Sequence, residues 1–324
     1  MISRKLFIVA PACAALSLGA AACGSSDSSS SGSSDLSGTI KIDGSSTVYP
    51  FAQAAAELFN GDNPNVKISV GESGTTGGFE KFCAGEIDIS DASRPIEPPE
   101  VKACKSDGDT YTELQVANDG ISVVTNPSLE ISCLSTDQLK QLWDKGSTVD
   151  NYSQLGNDAD TGNPLPDASV SLYGPGTDSG TFDYFTAQIN GVEDQSRDDY
   201  QPSEDDNVLV EGVSGDQDGL GYFGFSYYDQ NQDKLNLVSV DSGKGCVAPS
   251  AETIQSGEYS PLSRPLFMYP KSESLGKSEV AGYMQFVVDS YSEISDAALI
   301  VPMDDTQASD ASSALDDALS QAGN

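Results

Sequence analysis

The sequence predicts an α/β fold, and three observations carry the prediction. From Gly38 onward short β-branched runs alternate with amphipathic ones, the connections between them are mostly short, and three times a strand-like run leads through a Gly/Ser/Thr-rich loop into a helix-like one. At 324 residues, 37% of them hydrophobic and 8% aromatic, the chain can build one large or two medium domains around a sizeable core.

The elements follow from local pattern. Residues 39–42 (TIKI) alternate as a strand, 50–60 (PFAQAAAELFN) carry apolar residues at helical spacing, and 66–70 (VKISV) form a strand again. A short helix is expected over 79–85 and a strand over 87–90. After the Pro-rich break at 94–99 comes a helical turn near Cys104, then a strand over 120–126. Residues 135–146 form a helix with Ser135 as its cap. A strand (169–174), a helix (180–190), an apolar aromatic run (222–231), two more strands (235–240 and 265–270) and an amphipathic helix (278–292) complete the pattern. The polar stretches 144–167 and 190–207 are expected to be surface loops, with the acid-rich part, 192–207, a solvated face. Residues 304–324 have weak helical periodicity and an acidic, fraying end. Trp143, the single tryptophan, shares helical spacing with Leu139 and Leu142 and is expected in a core, as is the Tyr/Phe cluster at 222–228. Residues 158–163 resemble a calcium loop but lack its downstream Glu, and a turn is the better reading.

Composition excludes several activities. Without a histidine the chain cannot build a Ser-His-Asp triad, a Cys-His pair or an imidazole-ligated metal centre. A net charge of −34 argues against a nucleic-acid backbone or an anionic membrane surface as partner. Neither a metal nor a cofactor is expected.

The N-terminus reads as an export address. Arg4 and Lys5 precede a short apolar stretch, interrupted by Pro11, that ends in small residues and Cys23. LGAAAC resembles a bacterial lipoprotein cleavage box, so residues 1–22 are expected to be a lipoprotein signal peptide and Cys23 the lipidated mature N-terminus. Of the 14 residues that follow, 9 are Ser, too polar to fold, so residues 23–37 form an anchored tether. No other segment is apolar for long enough to span a bilayer. Four cysteines then remain, Cys83, Cys104, Cys133 and Cys246, and they allow three pairings. Cys83–Cys104 closing a local loop and Cys133–Cys246 stapling distant segments is the preferred arrangement in an oxidising compartment. A four-thiolate zinc site is the alternative, but no CxxC spacing supports it.

The candidate binding chemistry lies in the three loops, DGSSTVYP (43–50), GESGTTGGF (71–79) and GPGTDSGTF (174–182). Each puts hydroxyls and backbone N–H groups at a helix N-terminus, where the partial charge of about +0.5 attracts anions. Capping alone explains any one such loop, but three in one chain suggest a shared site. None matches a nucleotide-cradling glycine pattern. A fourth segment, DISDASRPI (88–96), adds Ser93, Arg94 and an aspartate, Asp91, at the end of a strand.

Together DGSSTVYP, SGTTGGFEKFCAGEIDISDASRPI, YGPGTDSGTFDYFTAQI and DDNVLVEGV followed by LGYFGFSYY resemble the PstS family, the phosphate-binding proteins of bacterial high-affinity phosphate ABC transporters. The resemblance runs from about residue 38 to about 291. It implies a two-lobed periplasmic binding protein-like fold of type 2, with hinged lobes and the ligand in the interlobe cleft. Lobe 1 would be 38–118 and 247–324, and lobe 2 would be 119–246. Ser46, Thr47, Ser73 and Thr75 would bind phosphate from lobe 1 with Ser93 and Arg94, and Ser179, Gly180 and Thr181 would close the site from lobe 2. Pro175 stands where some members carry an arginine, which leaves Arg94 as the guanidinium. Some members carry an aspartate where Ser93 stands, which makes Asp91 the carboxylate expected to accept the proton of hydrogen phosphate and so reject sulfate.

The function implied is that of an extracytoplasmic, lipid-anchored, monomeric binding protein that hands inorganic phosphate to ABC transporter permease subunits, with no chemical step. The alternatives are a binding protein for another oxyanion, such as sulfate or molybdate, or an exported phosphate-ester hydrolase. The missing histidines weigh against the hydrolase.

Overall fold

The computed structural model describes residues 36–106, 110–177 and 179–323. The expected signal peptide, Cys23 and nearly all of the expected tether lie outside the described residues.

The chain begins with β1 (Gly38–Gly44), α1 (Tyr49–Asp62), β2 (Val66–Val70), α2 (Gly74–Cys83), β3 (Ile89–Ala92), α3 (Pro98–Ser106) and the long β4 (Leu114–Thr125). It continues through β5 (Cys133–Ser135), α4 (Thr136–Trp143), β6 (Ser171–Pro175), α5 (Gly180–Phe185), β7 (Gln201–Ser203), α6 (Asp206–Gly215), β8 (Gly219–Gly224), α7 (Phe225–Asp229), β9 (Asn236–Asp241) and β10 (Cys246–Val247). Last come α8 (Ala251–Gln255), β11 (Ser263–Pro270), α9 (Ser272–Leu275), α10 (Ser278–Asp289), α11 (Tyr291–Ala298) and α12 (Asp305–Ala322).

The strands pair in the order β2-β1-β3-β11-β4-β8-β6-β7, with β9 also on β4 and both β5 and β10 on β9. β1 runs parallel to β2 and β3, and β6 parallel to β7 and β8, as strand–helix–strand crossovers require. β4 belongs to both ends of this path. Its residues 114–120 pair antiparallel with β11, whereas 121–125 pair with β8.

Two large apolar cores lie on either side of that change of partner. Ile40, Ile42, Phe51, Phe59, Ile89, Met268, Tyr283 and Leu315 pack in the first, and Ile121, Val123, Leu139, Trp143, Phe185, Tyr222 and Val238 in the second. β1 contributes by alternation, with Ile40 and Ile42 inward and Lys41 outward, and α1 by Phe51, Ala52, Ala55, Ala56 and Phe59 along one face. Ile254, Tyr259 and Leu262 pack in the second core although they follow β10.

Trp143 is fully buried there, edge-on to Tyr222 at 4.8 Å between ring centroids, and Ser135 caps α4 through a capping box with Gln138. Both preferred disulfides are formed, Cys83–Cys104 and Cys133–Cys246. Residues 158–163 are a turn: Asp158 accepts from the backbone N–H groups of Ser132, Cys133, Asp160 and Thr161 and from the Ser132 hydroxyl.

Three expectations are corrected. α2 begins at Gly74 rather than near Phe79, because Gly74 takes a left-handed φ of +80° and Gly78 packs where a Cβ would lie 2.6 Å from the Cα of Gly44. The C-terminal segment is a firm helix, closed by an Asp304–Gln307 capping box and anchored by Ala311 and Leu315. The stretch 192–207 is not wholly solvated: Arg197 is 8% exposed, pairs with Asp199 and donates to the Leu142 and Val149 carbonyls.

Candidate functional site

All three loops open at the C-terminal ends of parallel strands and meet around a cavity of about 430 Å³. Ser45, Ser46 and Thr47 line it from the β1–α1 loop, Ser73 to Gly77 from the start of α2, Ser93 and Arg94 from the turn after β3, and Gly180, Asp183 and Tyr184 from α5. Ala187, Gln188, Glu193 and, from β11, Arg264 complete the wall.

Local geometry separates the loops. The residue capping α1 is Val48, which has no side-chain oxygen, so the hydroxyls of Ser46 and Thr47 are not spent on the helix. Ser45 is tied back instead, its N–H donating to the Asp91 carbonyl at 3.0 Å and its Oγ accepting from Thr47 N–H. Ser73 at the start of α2 likewise makes no capping bond; its N–H and hydroxyl both donate to Asp43, at 2.9 and 2.8 Å. Against the burial that would raise it, Lys81 and Ser73 hold the Asp43 carboxyl below its usual range. Thr75 Oγ1 lies 3.1 Å from Ser93 Oγ and accepts from Ser93 N–H, which joins the second loop to the turn after β3. In the third loop Ser179 does cap, accepting from Thr181 N–H at 3.2 Å. Gly180 lies so close to the first loop that a Cβ would sit 2.6 Å from both Ser46 Oγ and Thr47 Oγ1.

Of the residues expected in the site, Ser46, Thr47, Ser73, Thr75, Ser93, Arg94 and Gly180 line the cavity, whereas Asp91, Ser179 and Thr181 do not. Asp91 is fully buried with neither carboxylate oxygen hydrogen-bonded. Burial, and then the charge of Asp43, push its carboxyl well above the usual range, and the Tyr283 phenol in the first core is raised by its own burial and then by the neighbouring Asp91. The β alternation that turns Ile89 into that core turns Asp91 the same way.

The cavity's own carboxylates are Asp183 and Glu193, which sequence reasoning passed over. Asp183, Glu193 and Asp194 bring an oxygen each within 4.8 Å of one another, close enough to share a cation or a proton. Burial, and then a hydrogen bond with Asp194, push the Asp183 carboxyl up to about 7.

Nor is Arg94 the only guanidinium. It is held in a fork by Glu100 at 2.8 and 2.9 Å and donates to Thr76 at 3.1 Å. Arg264 enters from the far end of the chain, its Nε donating to Asp119 at 3.1 Å and its Nη2 to Thr47 Oγ1 at 2.6 Å and to the Gly180 carbonyl at 3.3 Å. The sequence did carry a signal for it: Arg94 and Arg264 both stand in the tripeptide Ser-Arg-Pro, in a chain with only 4 arginines.

Comparison with known proteins bears on this arrangement. Residues 29–290 match the PBP superfamily domain. Protein SphX of Synechococcus elongatus is 41% identical over 267 residues, which cover 82% of this chain and 77% of that one. The phosphate-binding protein PstS of Staphylococcus epidermidis is 37% identical over 272 residues, 83% of this chain and 80% of that one. A solved structure described as a possible phosphate binding protein, from Planctomyces limnophilus, matches with a TM-score of 0.80 at 42% identity, over 88% of this chain and 99% of that one. The expected two-lobed α/β architecture of the second periplasmic-binding-protein type is therefore the fold of this chain. By sequence and by fold together, the chain belongs to the PBP superfamily and, within it, to the PstS family of phosphate-binding proteins.

Proposed function

We propose that this protein captures inorganic phosphate between its two lobes and delivers it to the permease of an ABC transporter, without a chemical step. The observation that carries the reading is the convergence of uncapped hydroxyls from the first two loops with two guanidinium groups on one cavity of about 430 Å³. Such a wall stabilises an oxyanion by directed donors, which matter more in an enclosed site than the opposing field of a distant acidic surface. In this reading Ser46, Thr47, Ser73, Thr75, Ser93 and Arg94 are phosphate ligands from lobe 1, and the segment Ser179–Thr181 closes over them from lobe 2.

The lobes are assigned as 38–118 with 247–324, and 119–246. The packing of Ile254, Tyr259 and Leu262 in the second core favours a return crossing nearer Ser263 than residue 247. Outside the cytoplasm a lipid on Cys23 would hold the monomeric domain to the membrane through the tether. Among the described residues no helix is long and apolar enough to cross a membrane.

A protonated oxyanion is favoured over sulfate because hydrogen phosphate can donate to Asp183 or Glu193, whereas sulfate meets the same carboxylates with lone pairs only. These residues take over the discriminating role expected of Asp91. Calorimetric titration of the ligand-stripped protein with phosphate, sulfate, arsenate and molybdate tests the reading. Micromolar or tighter 1:1 binding of phosphate, with sulfate silent, is the expected result. Heat from sulfate or molybdate but none from phosphate keeps the fold and overturns the ligand.

A further inference from the structure

The two cavity arginines are not equivalent, and the difference assigns a role to the one at the hinge. Arg264 lies opposite Asp119 in the β11–β4 register, and one residue on, Ser263 pairs with Gly120 where β4 leaves β11 for β8. Its guanidinium therefore sits at the crossing between the cores, 3.9 Å above the ring of Tyr184. Tyr184 is itself held there, its hydroxyl donating to the Pro261 and Ser263 carbonyls at 2.7 and 3.0 Å. One cation thus touches Thr47 from the first loop, Gly180 and Tyr184 from α5, and Asp119 from the crossing strand.

The hydrogen-bond directions add a second point. Arg264 has no acceptor, so it is the donor to Thr47 Oγ1, and the threonine's own hydroxyl hydrogen must point elsewhere. Because Thr47 lines the cavity, that hydrogen is free to meet an anion there. Arg264 Nη1 makes no hydrogen bond among the described residues, while the side chain keeps 12% of its surface exposed and lines the cavity. Arg94, by contrast, commits both Nη atoms to the Pro95 carbonyl, to Glu100 of α3 and to Thr76 of α2.

We propose that Arg264 meets the bound oxyanion alongside Arg94 and contributes more of the binding, aiming the Thr47 hydroxyl at it and tying α5 to the first loop, so that one guanidinium couples ligand capture to lobe closure. This rests on the phosphate reading given above. A lysine keeps the charge but offers one point donor in place of a planar fork and cannot reach Asp119, Thr47, Gly180 and a ligand together.

The test pairs calorimetry with phosphate on the full chain and its R264A, R264K and R94A variants with NMR of the unaltered chain labelled with ¹⁵N-arginine, which carries only 4 such residues. R264A and R264K should each bind phosphate at least about tenfold more weakly than the unaltered chain, the scale of one charge-assisted hydrogen bond, with R94A less affected. Phosphate should shift the guanidinium signals of Arg264, identified by their loss in R264K. If the unaltered chain gives no heat with phosphate, the phosphate reading falls and this inference with it. If the unaltered chain binds but R264K stays within about threefold of it, or phosphate moves only the Arg94 signals, the phosphate reading stands and Arg264 is merely a hinge ion pair. Should R264A and R264K fail to fold, the Arg264 signals of the unaltered chain, recognised once R94A and R4K have removed those of Arg94 and Arg4 and D199N has shifted those of Arg197, decide alone: a shift supports the inference and no shift overturns it.

Discussion

The first two loops and the third are written alike and built differently. Residues 43–50 and 71–79 enter α1 and α2 without a side-chain cap, and their hydroxyls turn to the cavity, to Asp43 or to Ser93. In residues 174–182 Ser179 closes the start of α5 in the ordinary way, and Gly180 supplies closeness instead of a hydroxyl. A run of Gly, Ser and Thr before a helix is thus compatible with two uses of the same oxygen, and only the partner of that oxygen tells them apart. The first two loops offer donors; the third offers a surface without side chain that lies against the first.

That contrast breaks most readily in the first loop. Replacing Ser46 and Thr47 together with Ala removes two hydroxyls facing an anion, and phosphate affinity measured by calorimetry should fall roughly 100-fold or more, from about 1.5–3 kcal/mol for each hydrogen bond to a charged group. Gly180→Ala should follow at about tenfold or more, since the added methyl would lie 2.6 Å from Ser46 Oγ and Thr47 Oγ1 and would prise the loops apart; small-angle scattering with saturating phosphate should show a more open particle.

The acidic wall gives a smaller, pH-shaped effect. Asp183 titrates near 7 in the fold against an ordinary 3.8, so its contribution to stability is present in acid and is lost as pH rises through about 7. Above that pH its ionised carboxylate is free to accept the proton of hydrogen phosphate and faces sulfate with lone pairs only. Asp183→Asn should therefore gain in thermal stability relative to the unaltered chain as pH is raised from 5 to 8, and should lose preference for phosphate over sulfate most at the alkaline end, where the carboxylate is free to accept; a stability difference and a preference both constant across that range would remove Asp183 from the wall's chemistry. The mildest change is Ser179→Ala, which should cost about 1 kcal/mol in denaturant unfolding as a lost cap and leave phosphate affinity within about threefold. A larger loss of affinity would show that the third loop is used like the first two.

Much of this was legible beforehand because it depends on neighbours in sequence. Strand alternation at Ile40 and Ile42, the helical stripe of α1, the cap at Ser135 and the hydroxyl loops are all local patterns. What escaped depends on which face or which distant segment a residue meets. Asp91 was read by its place beside Arg94, yet strand geometry turns its side chain into the first core. Asp183 lay within the run 180–190, read simply as a helix, and Glu193 in a stretch read as solvated. Arg264 joins Thr47 across 217 positions of chain, a separation at which composition and periodicity carry no information.

The place of β11 has a consequence in time. Residues 263–270 pair on one side with β3 and on the other with β4, so a strand made late is inserted between two made early. As a chain emerges from a ribosome or a secretion channel, β1 to β3 and the middle segment appear first, but a gap runs through the sheet until the later strand arrives. The hinge, the Arg264 contacts and the register between the two cores all wait for it, and loop closure over so many residues is slow. The protein therefore acquires its grip late, after about four-fifths of its length has been delivered, and a chain halted before residue 263 would carry the three loops without the strand that sets them face to face.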